Sequence, residues 1–270
     1  MAIIIKRWTD GMTIYESQTA TTVCEAVEEA AGAKADLRLA DLRSVDLRSA
    51  NLRSANLRSV DLRSANLRSA NLSSADLSSA NLILADLHSA DLRSANLRSA
   101  NLRSVDLRSA NLRSANLSSA DLSSANLILA DLHSADLRSA NLRSANLRSV
   151  DLRSANLRSA NLSSANLILA NLSSANLHSA NLHSADLSSA NLRSANLSSA
   201  NLLMLGPIGS RAGTLYATWH KDDIHVRAGC FAGTLAEFAA AVEKTHGDNE
   251  HGRAYRAAIA LIKARAGLEE

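Results

Sequence analysis

Over most of this chain the apolar positions follow a rhythm that belongs to neither helix nor flat strand. Leucine occupies 37, 42, 47 and every fifth position through 202, giving 34 uninterrupted repeats. Two residues before each leucine stands Ala, replaced by Val only at 45, 60, 105 and 150, and one residue before it is always Asp or Asn. The consensus is A-(D/N)-L-X-S. At about 100° per residue, α-helical leucines five apart would spiral round every face. In a flat strand an odd period would throw alternate leucines onto opposite sides. Asn, Asp and Ser at three of five positions also disfavour a helix interior. The remaining solution is a coil that turns once per repeat and points every leucine at one axis.

The flanks have ordinary patterns. In residues 1–34, "IIIKRW", a "TDG" turn and "MTIYES" predict a hairpin. "TTVCEAVEEAAG" predicts a short helix with Thr22 and Glu25 in capping-box spacing, Gly32 as its stop, and Val23, Val27 and Ala30 on its buried face. After Leu203, "GPIGSRAG" reads as a linker or turn, and "TLYATWH-KDD-IHVRAGC" as a second hairpin. "GTLAEFAAAVEKTHG" carries another capping-box pair, Thr234 and Glu237, and "AYRAAIALIKARAG" predicts a final helix. Three units follow: an N-terminal hairpin-plus-helix cap over 1–34, the repeat array over 35–203, and a C-terminal α+β cap or small domain over 204–270. Open solenoid ends expose unpaired strand edges, so capping is the simplest role for both flanks. The C-terminal segment is also a candidate homodimer interface.

The A-(D/N)-L-X-S array resembles the pentapeptide-repeat family, whose signature is A-(D/N)-L-X-X. The resemblance covers about 170 of the 270 residues without a break. It implies an all-β solenoid, a right-handed quadrilateral parallel β-helix with five residues per side and four repeats per coil. Leu and the preceding Ala or Val would point inward and the other three positions outward. Thirty-four repeats then make about eight coils, a rod on the order of 40 Å long at the usual strand spacing. The flanks resemble those of prophage-borne members, which brings no activity with it.

Composition changes this picture little. Apolar content is 46% but aromatics are only 3%, and the formal net charge is +3. Cys24 and Cys230 form no CxxC pair, so a reducing, cytoplasmic setting is expected. The three-isoleucine run at the start is too short for a signal peptide, and no apolar stretch is long enough for a membrane span.

Charge placement bears on function. Eighteen repeats carry Arg after the leucine, seventeen of them in runs over 38–68, 93–113 and 138–158 and the last at Arg193. Counted in fours, these arginines fall on all four faces, as do the 13 Asp of the array. Each run is therefore a collar, whereas a duplex-binding surface gathers its cations on one side. With no aromatic in the array, base stacking on the rod is excluded, and nucleic acid is disfavoured as a partner. Some family members resemble B-form DNA and bind DNA gyrase in its place, using acidic surfaces. The net positive array here argues against that role, which stands as the alternative reading together with weak polyanion binding.

Candidate chemistry is sparse. His88, His133, His178 and His183 take outward positions on the array, while His220, His225, His246 and His251 lie in the C-terminal segment with Cys230, at spacings that match no zinc pattern. The abundant serines have no single His partner or oxyanion site, and no Gly-rich phosphate loop is present. No catalytic residue, cofactor, metal or small-molecule substrate is expected. The most informative interruption is "NLILA" at 81–85, 126–130 and 166–170. It places Ile83, Leu84, Ile128, Leu129, Ile168 and Leu169 at outward positions, the last two copies on one face, as a candidate partner surface.

Residues 61–105 and 106–150 are identical at all 45 positions, which points to recent tandem duplication or deliberate construction. The expected function is a non-enzymatic scaffold, a rigid rod offered to a protein partner.

Overall fold

The computed structural model describes residues 2–209 and 213–268. Its middle is a stack of parallel bridges offset by twenty residues, from Asp41 with Asp61 to Asn176 with Asn196. Four pentapeptides therefore complete each turn. The leucines from Leu37 to Leu187 and their preceding Ala or Val side chains form one continuous buried column.

A pentapeptide inside the array can satisfy all five of its backbone N–H groups, as Ala95–Ser99 shows. The Ala95 N–H closes the preceding turn onto the Leu92 carbonyl at 3.0 Å, and the Asn96 N–H donates to Ala75 of the coil before at 2.9 Å. Those of Leu97 and Ser99 donate to Asn116 and Ser118 of the coil after, at 2.7 and 3.0 Å. The fifth, on Arg98, donates to the Asn96 side-chain oxygen at 3.2 Å. A buried polar backbone is tolerable only with such complete pairing. It also corrects the expectation that Asp and Asn merely face outward: their side chains close an Asx turn that nothing apolar can close.

The corner itself is a turn with a positive φ at its third residue. The serines of the fifth position adopt left-handed backbone, for example Ser99 at φ 56°, and so do Leu39, Leu84, Leu129 and Leu169 at φ 59–62°. Valine at the inward corner is accommodated by opening the turn slightly. The Val60, Val105 and Val150 N–H groups reach their turn carbonyls at 3.2 Å, against 3.0 Å for most alanines.

The N-terminal segment is continuous with this core. Strand β1 (Ile3–Lys6) pairs antiparallel with β2 (Thr13–Ser17), and helix α1 spans Val23–Gly32 with the Thr22/Glu25 capping box formed. Ile5, Ala26, Val27 and Ala30 join the same buried cluster as the rod leucines. Two expectations for α1 need correction. Val23 is exposed and Ala26 takes its place on the buried face, while Gly32 is the last helical residue and the left-handed residue is Lys34 at φ 56°. The open rod edge is closed by backbone groups of the hairpin. The Asp41 N–H donates to the Lys6 carbonyl at 2.8 Å and the Trp8 N–H to Leu39 at 2.9 Å. From α1, the Glu28 carboxylate accepts the Asn51 N–H at 2.6 Å.

The C-terminal segment has its own core. Strands β3 (Leu202–Ile208), β4 (Gly213–His220), β5 (Asp223–Ala228) and β6 (Phe231–Thr234) form an antiparallel meander in that order. Helices α2 (Leu235–His246) and α3 (Glu250–Ala266) cover one face, burying Leu215, Ala217, Ile224, Val226, Phe238, Val242, Ala258 and Ile262 between them. The Thr234/Glu237 capping box of α2 is formed. Helix α3 starts earlier than "AYRAAIALIKARAG" suggests because the Asn249 side chain caps it by accepting the Gly252 N–H at 2.9 Å. The expected linker "GPIGSRAG" is corrected in its first part: Gly206–Ile208 belong to β3, which begins inside the last repeat and crosses the 203/204 boundary. Its residues 210–212 lie outside the described residues. No helix among the described residues is long and apolar enough to cross a membrane.

Candidate interaction surfaces

Three parts of the surface carry chemistry: the arginine coat, the exposed leucines, and the junction between rod and C-terminal sheet.

Eleven of the eighteen array arginines form an ion pair with an Asp of their own or the next coil. In a D-L-R repeat the Arg side chain folds back on the Asp two residues earlier, as in Arg93–Asp91, Arg108–Asp106 and Arg138–Asp136, each at 2.6 Å. Others reach the next coil, such as Arg68–Asp86 and Arg113–Asp131, both at 3.3 Å. The guanidinium beside Asp106 or Asp136 holds the carboxyl below the usual carboxylate range through its hydrogen bond, helped by the Arg backbone N–H and opposed by partial burial. Such exposed pairs contribute little individually, and they reduce, without cancelling, the positive field of the array. The twenty-residue register leaves Arg98, Arg138 and Arg158 in one column with Ser118 between them, lining a shallow depression rather than a continuous stripe.

The "NLILA" repeats behave differently at their two apolar positions. Ile83, Ile128 and Ile168 are half-buried, which corrects the expectation that they point fully outward. Leu84, Leu129 and Leu169 are 61%, 62% and 52% exposed. The Leu129 N–H donates to Arg148 of the next coil and the Ser149 N–H to Ile168, so Leu129 and Leu169 share one side with a single coil between them. Leu84 lies on another side. The structure thus brings together the last two copies and not the first.

The junction was not visible from spacing. Alternation along β4 and β5 sends Leu215, Ala217, Ile224 and Val226 toward the helices. The other face meets the rod end, with Met204 and Tyr216 packed on the rod core and polar groups around them. From Leu39 to Ser179 each fifth-position N–H donates to the carbonyl nineteen residues on; for Ser184 the acceptor is instead the Thr218 hydroxyl at 3.0 Å. Arg227 pairs with Asp186 at 2.9 Å. His183 Nε2 lies 3.2 Å from Asp223 Oδ2, and His225 Nε2 lies 3.3 Å from Asp223 Oδ1. Burial holds the His183 imidazole below its ordinary pKa, with Asp223 opposing and His225 and His220 adding to the effect. His183 Nδ1 is buried without a hydrogen-bond partner, leaving Nε2 as the ring's outward donor atom. One carboxylate and two imidazoles whose ligand atoms lie within 4.8 Å of one another could hold a metal ion. The spacing of histidines along the chain did not announce this grouping. The signal that sequence reasoning missed is the i, i+2 pair Asp223/His225 on one strand, to which His183 comes from 40 residues away. Of the other histidines, His178 Nδ1 bonds Ser198 Oγ at 2.7 Å, and His246 and His251 meet edge to face near Tyr255.

A leucine-filled parallel coil of twenty-residue turns, with Asx-closed corners, defines a pentapeptide solenoid. The description "pentapeptide repeats" matches this chain in eight copies, over residues 35–73, 61–98, 70–108, 135–173 and 170–202. Those segments make up more than half of the chain, and it belongs to the pentapeptide-repeat family. Among solved structures it is similar to HetL of Nostoc sp. strain PCC 7120, a pentapeptide repeat protein involved in heterocyst differentiation regulation. Identity is 32% over 67% of this chain and 97% of HetL, with a TM-score of 0.27. It is also similar to AT2G44920, a thylakoid-lumen pentapeptide repeat protein of Arabidopsis thaliana, at 32% identity over 33% of this chain and 61% of that one, TM-score 0.32. QnrB1, a plasmid-mediated fluoroquinolone resistance protein, matches at 20% identity over 57% of this chain and 80% of its own, TM-score 0.27. No curated protein matches the chain.

Proposed function

We propose that this protein is a non-enzymatic scaffold: a right-handed, four-sided rod of about eight coils that offers its surface to a protein partner, with the C-terminal α+β unit as a separate domain fixed to one end. The observation that carries the reading is the trio Leu84, Leu129 and Leu169. Each is more than half exposed and sits at a left-handed corner that Ser fills almost everywhere else in the array. Left-handed backbone already costs a residue with a Cβ about 1–2 kcal/mol, and an exposed leucine recovers nothing from the core there. Retaining leucine at three such corners fits a surface that is covered by another protein.

The triple variant L84S/L129S/L169S restores the repeat consensus and tests the reading. Sedimentation velocity over a wide concentration range is expected to show association of the unaltered chain and its loss in the variant, with thermal stability unchanged. Identical monomeric behaviour of both would remove self-association through the rod surface from the reading.

A further inference from the structure

We propose that His183, Asp223 and His225 form a binding site for one divalent transition metal of the zinc class, which clamps the C-terminal sheet to the end of the rod. Two neutral imidazoles and a carboxylate are a ligand set that zinc accepts readily, and they suit it better than calcium or magnesium, which take oxygen. The spacing agrees. Ligand atoms about 2.0–2.1 Å from a tetrahedral ion stand roughly 3.3 Å apart. The two imidazole–carboxylate separations are 3.2 and 3.3 Å, to different oxygens of Asp223, and the three residues' ligand atoms all lie within 4.8 Å of one another.

The donors come from separate parts of the fold, each held by other contacts. His183 belongs to the last coils, where its own backbone N–H donates to Asn181 Oδ1 at 3.0 Å. Asp223 and His225 are two apart on β5, whose pairing with β4 fixes them on one face. The flanking contacts, Ser184 to Thr218 and Arg227 to Asp186, hold rod and sheet in this register. His183 is mostly shielded while Asp223 is 56% exposed, so an ion has a path in from solvent and a position left for water or a fourth donor. The His220 ring, 6.0 Å from that of His183, is the nearest candidate for that position.

The experiment uses the full chain, freed of metal with a chelator and titrated with zinc chloride by calorimetry, with thermal unfolding followed in parallel. One zinc per chain at micromolar affinity or tighter is expected, with a rise in Tm that grows with zinc concentration as binding to the folded state requires. The H183S variant, which installs a residue common at that repeat position, and H225N are each expected to weaken binding by about 100-fold while keeping the circular dichroism of the unaltered chain. The pair H246N/H251N is expected to leave binding as it was and controls for the other histidine pair. Absence of binding at 0.1 mM zinc, on the order of a hundred times the expected constant, would overturn the proposal. So would zinc binding that H183S and H225N leave intact.

Discussion

An asparagine such as Asn116 has two partners in its own turn: its side-chain oxygen accepts the Ser118 N–H at 3.0 Å and the Ser118 hydroxyl at 2.7 Å. The acceptor oxygen, not the charge, is what the corner requires, and this explains why Asp and Asn alternate freely along the chain. N116A should therefore lower stability by about 1–3 kcal/mol, the cost of an unpaired backbone donor in a half-buried place. N116D should stay within about 1 kcal/mol of the unaltered chain. Denaturant melts of the two variants separate these outcomes, and equal losses would show that the Asx turn is dispensable. The charge matters in a different range of pH. Arginine hydrogen bonds hold Asp91, Asp106 and Asp136 below the usual carboxylate pKa, and partial burial works against that. A carboxyl depressed by folding contributes stability above its unfolded pKa of about 3.9 and loses it as the pH falls through the lower folded value. Melting temperature should thus hold down to mildly acidic pH and drop below about pH 4. The drop should be modest, because each pair is partly solvated.

At the level of elements, the two ends of the rod are closed by different devices. The N-terminal hairpin and helix extend the rod's own core, whereas the C-terminal sheet has a core of its own and meets the rod through Leu202, Met204 and Tyr216 together with polar groups. Thr218 is central to that contact, since its hydroxyl replaces the carbonyl that another coil would supply to the Ser184 N–H. T218V keeps the shape and removes the acceptor, and is expected to cost about 1–3 kcal/mol. Hydrogen exchange at Ser184 would speed up in the variant, and unchanged protection would mean that the sheet does not seal the edge. Much of this level was legible in the chain. The capping boxes at Thr22/Glu25 and Thr234/Glu237 announce α1 and α2, and the "KDD" turn announces the β4–β5 hairpin. What stayed hidden depends on long-range placement. Strand β3 looks like a linker because Gly206 and Pro207 interrupt it, and it is ordered by pairing with β4. The His183–Asp223–His225 group was illegible for the same reason, since only docking brings the rod and β5 together. The Asx role of the Asp/Asn position was readable from residue type, but periodicity drew attention to the core instead.

For the molecule as a whole, a bond pattern that repeats every five residues makes length adjustable in whole pentapeptides only. The 45-residue identity of 61–105 and 106–150 corresponds to nine repeats, so the second copy is turned by one side relative to the first. Its leucines re-enter the core, but its surface residues land on a new face, which is why Leu84 and Leu129 do not align. A surface distributed in this way, with eleven of its eighteen arginines paired to local Asp, is a poor match for a straight duplex. Submicromolar duplex affinity at physiological salt with a steep salt slope is accordingly not expected. Nor is protection or inhibition of gyrase in a supercoiling assay, because the array is net basic where a DNA mimic must be acidic. Deleting residues 106–150 gives the sharpest test of this organisation. The shortened chain should keep its circular dichroism and unfold within a few degrees of the full chain, because every new junction is identical to one already present. Its rod should be shorter by about 11 Å, two and a quarter coils at the usual strand spacing, as read by small-angle scattering. Deleting Ser99 alone should instead shift every later leucine out of its inward position. If the single deletion were tolerated as well as the 45-residue one, the pentapeptide register would not be what holds the rod together.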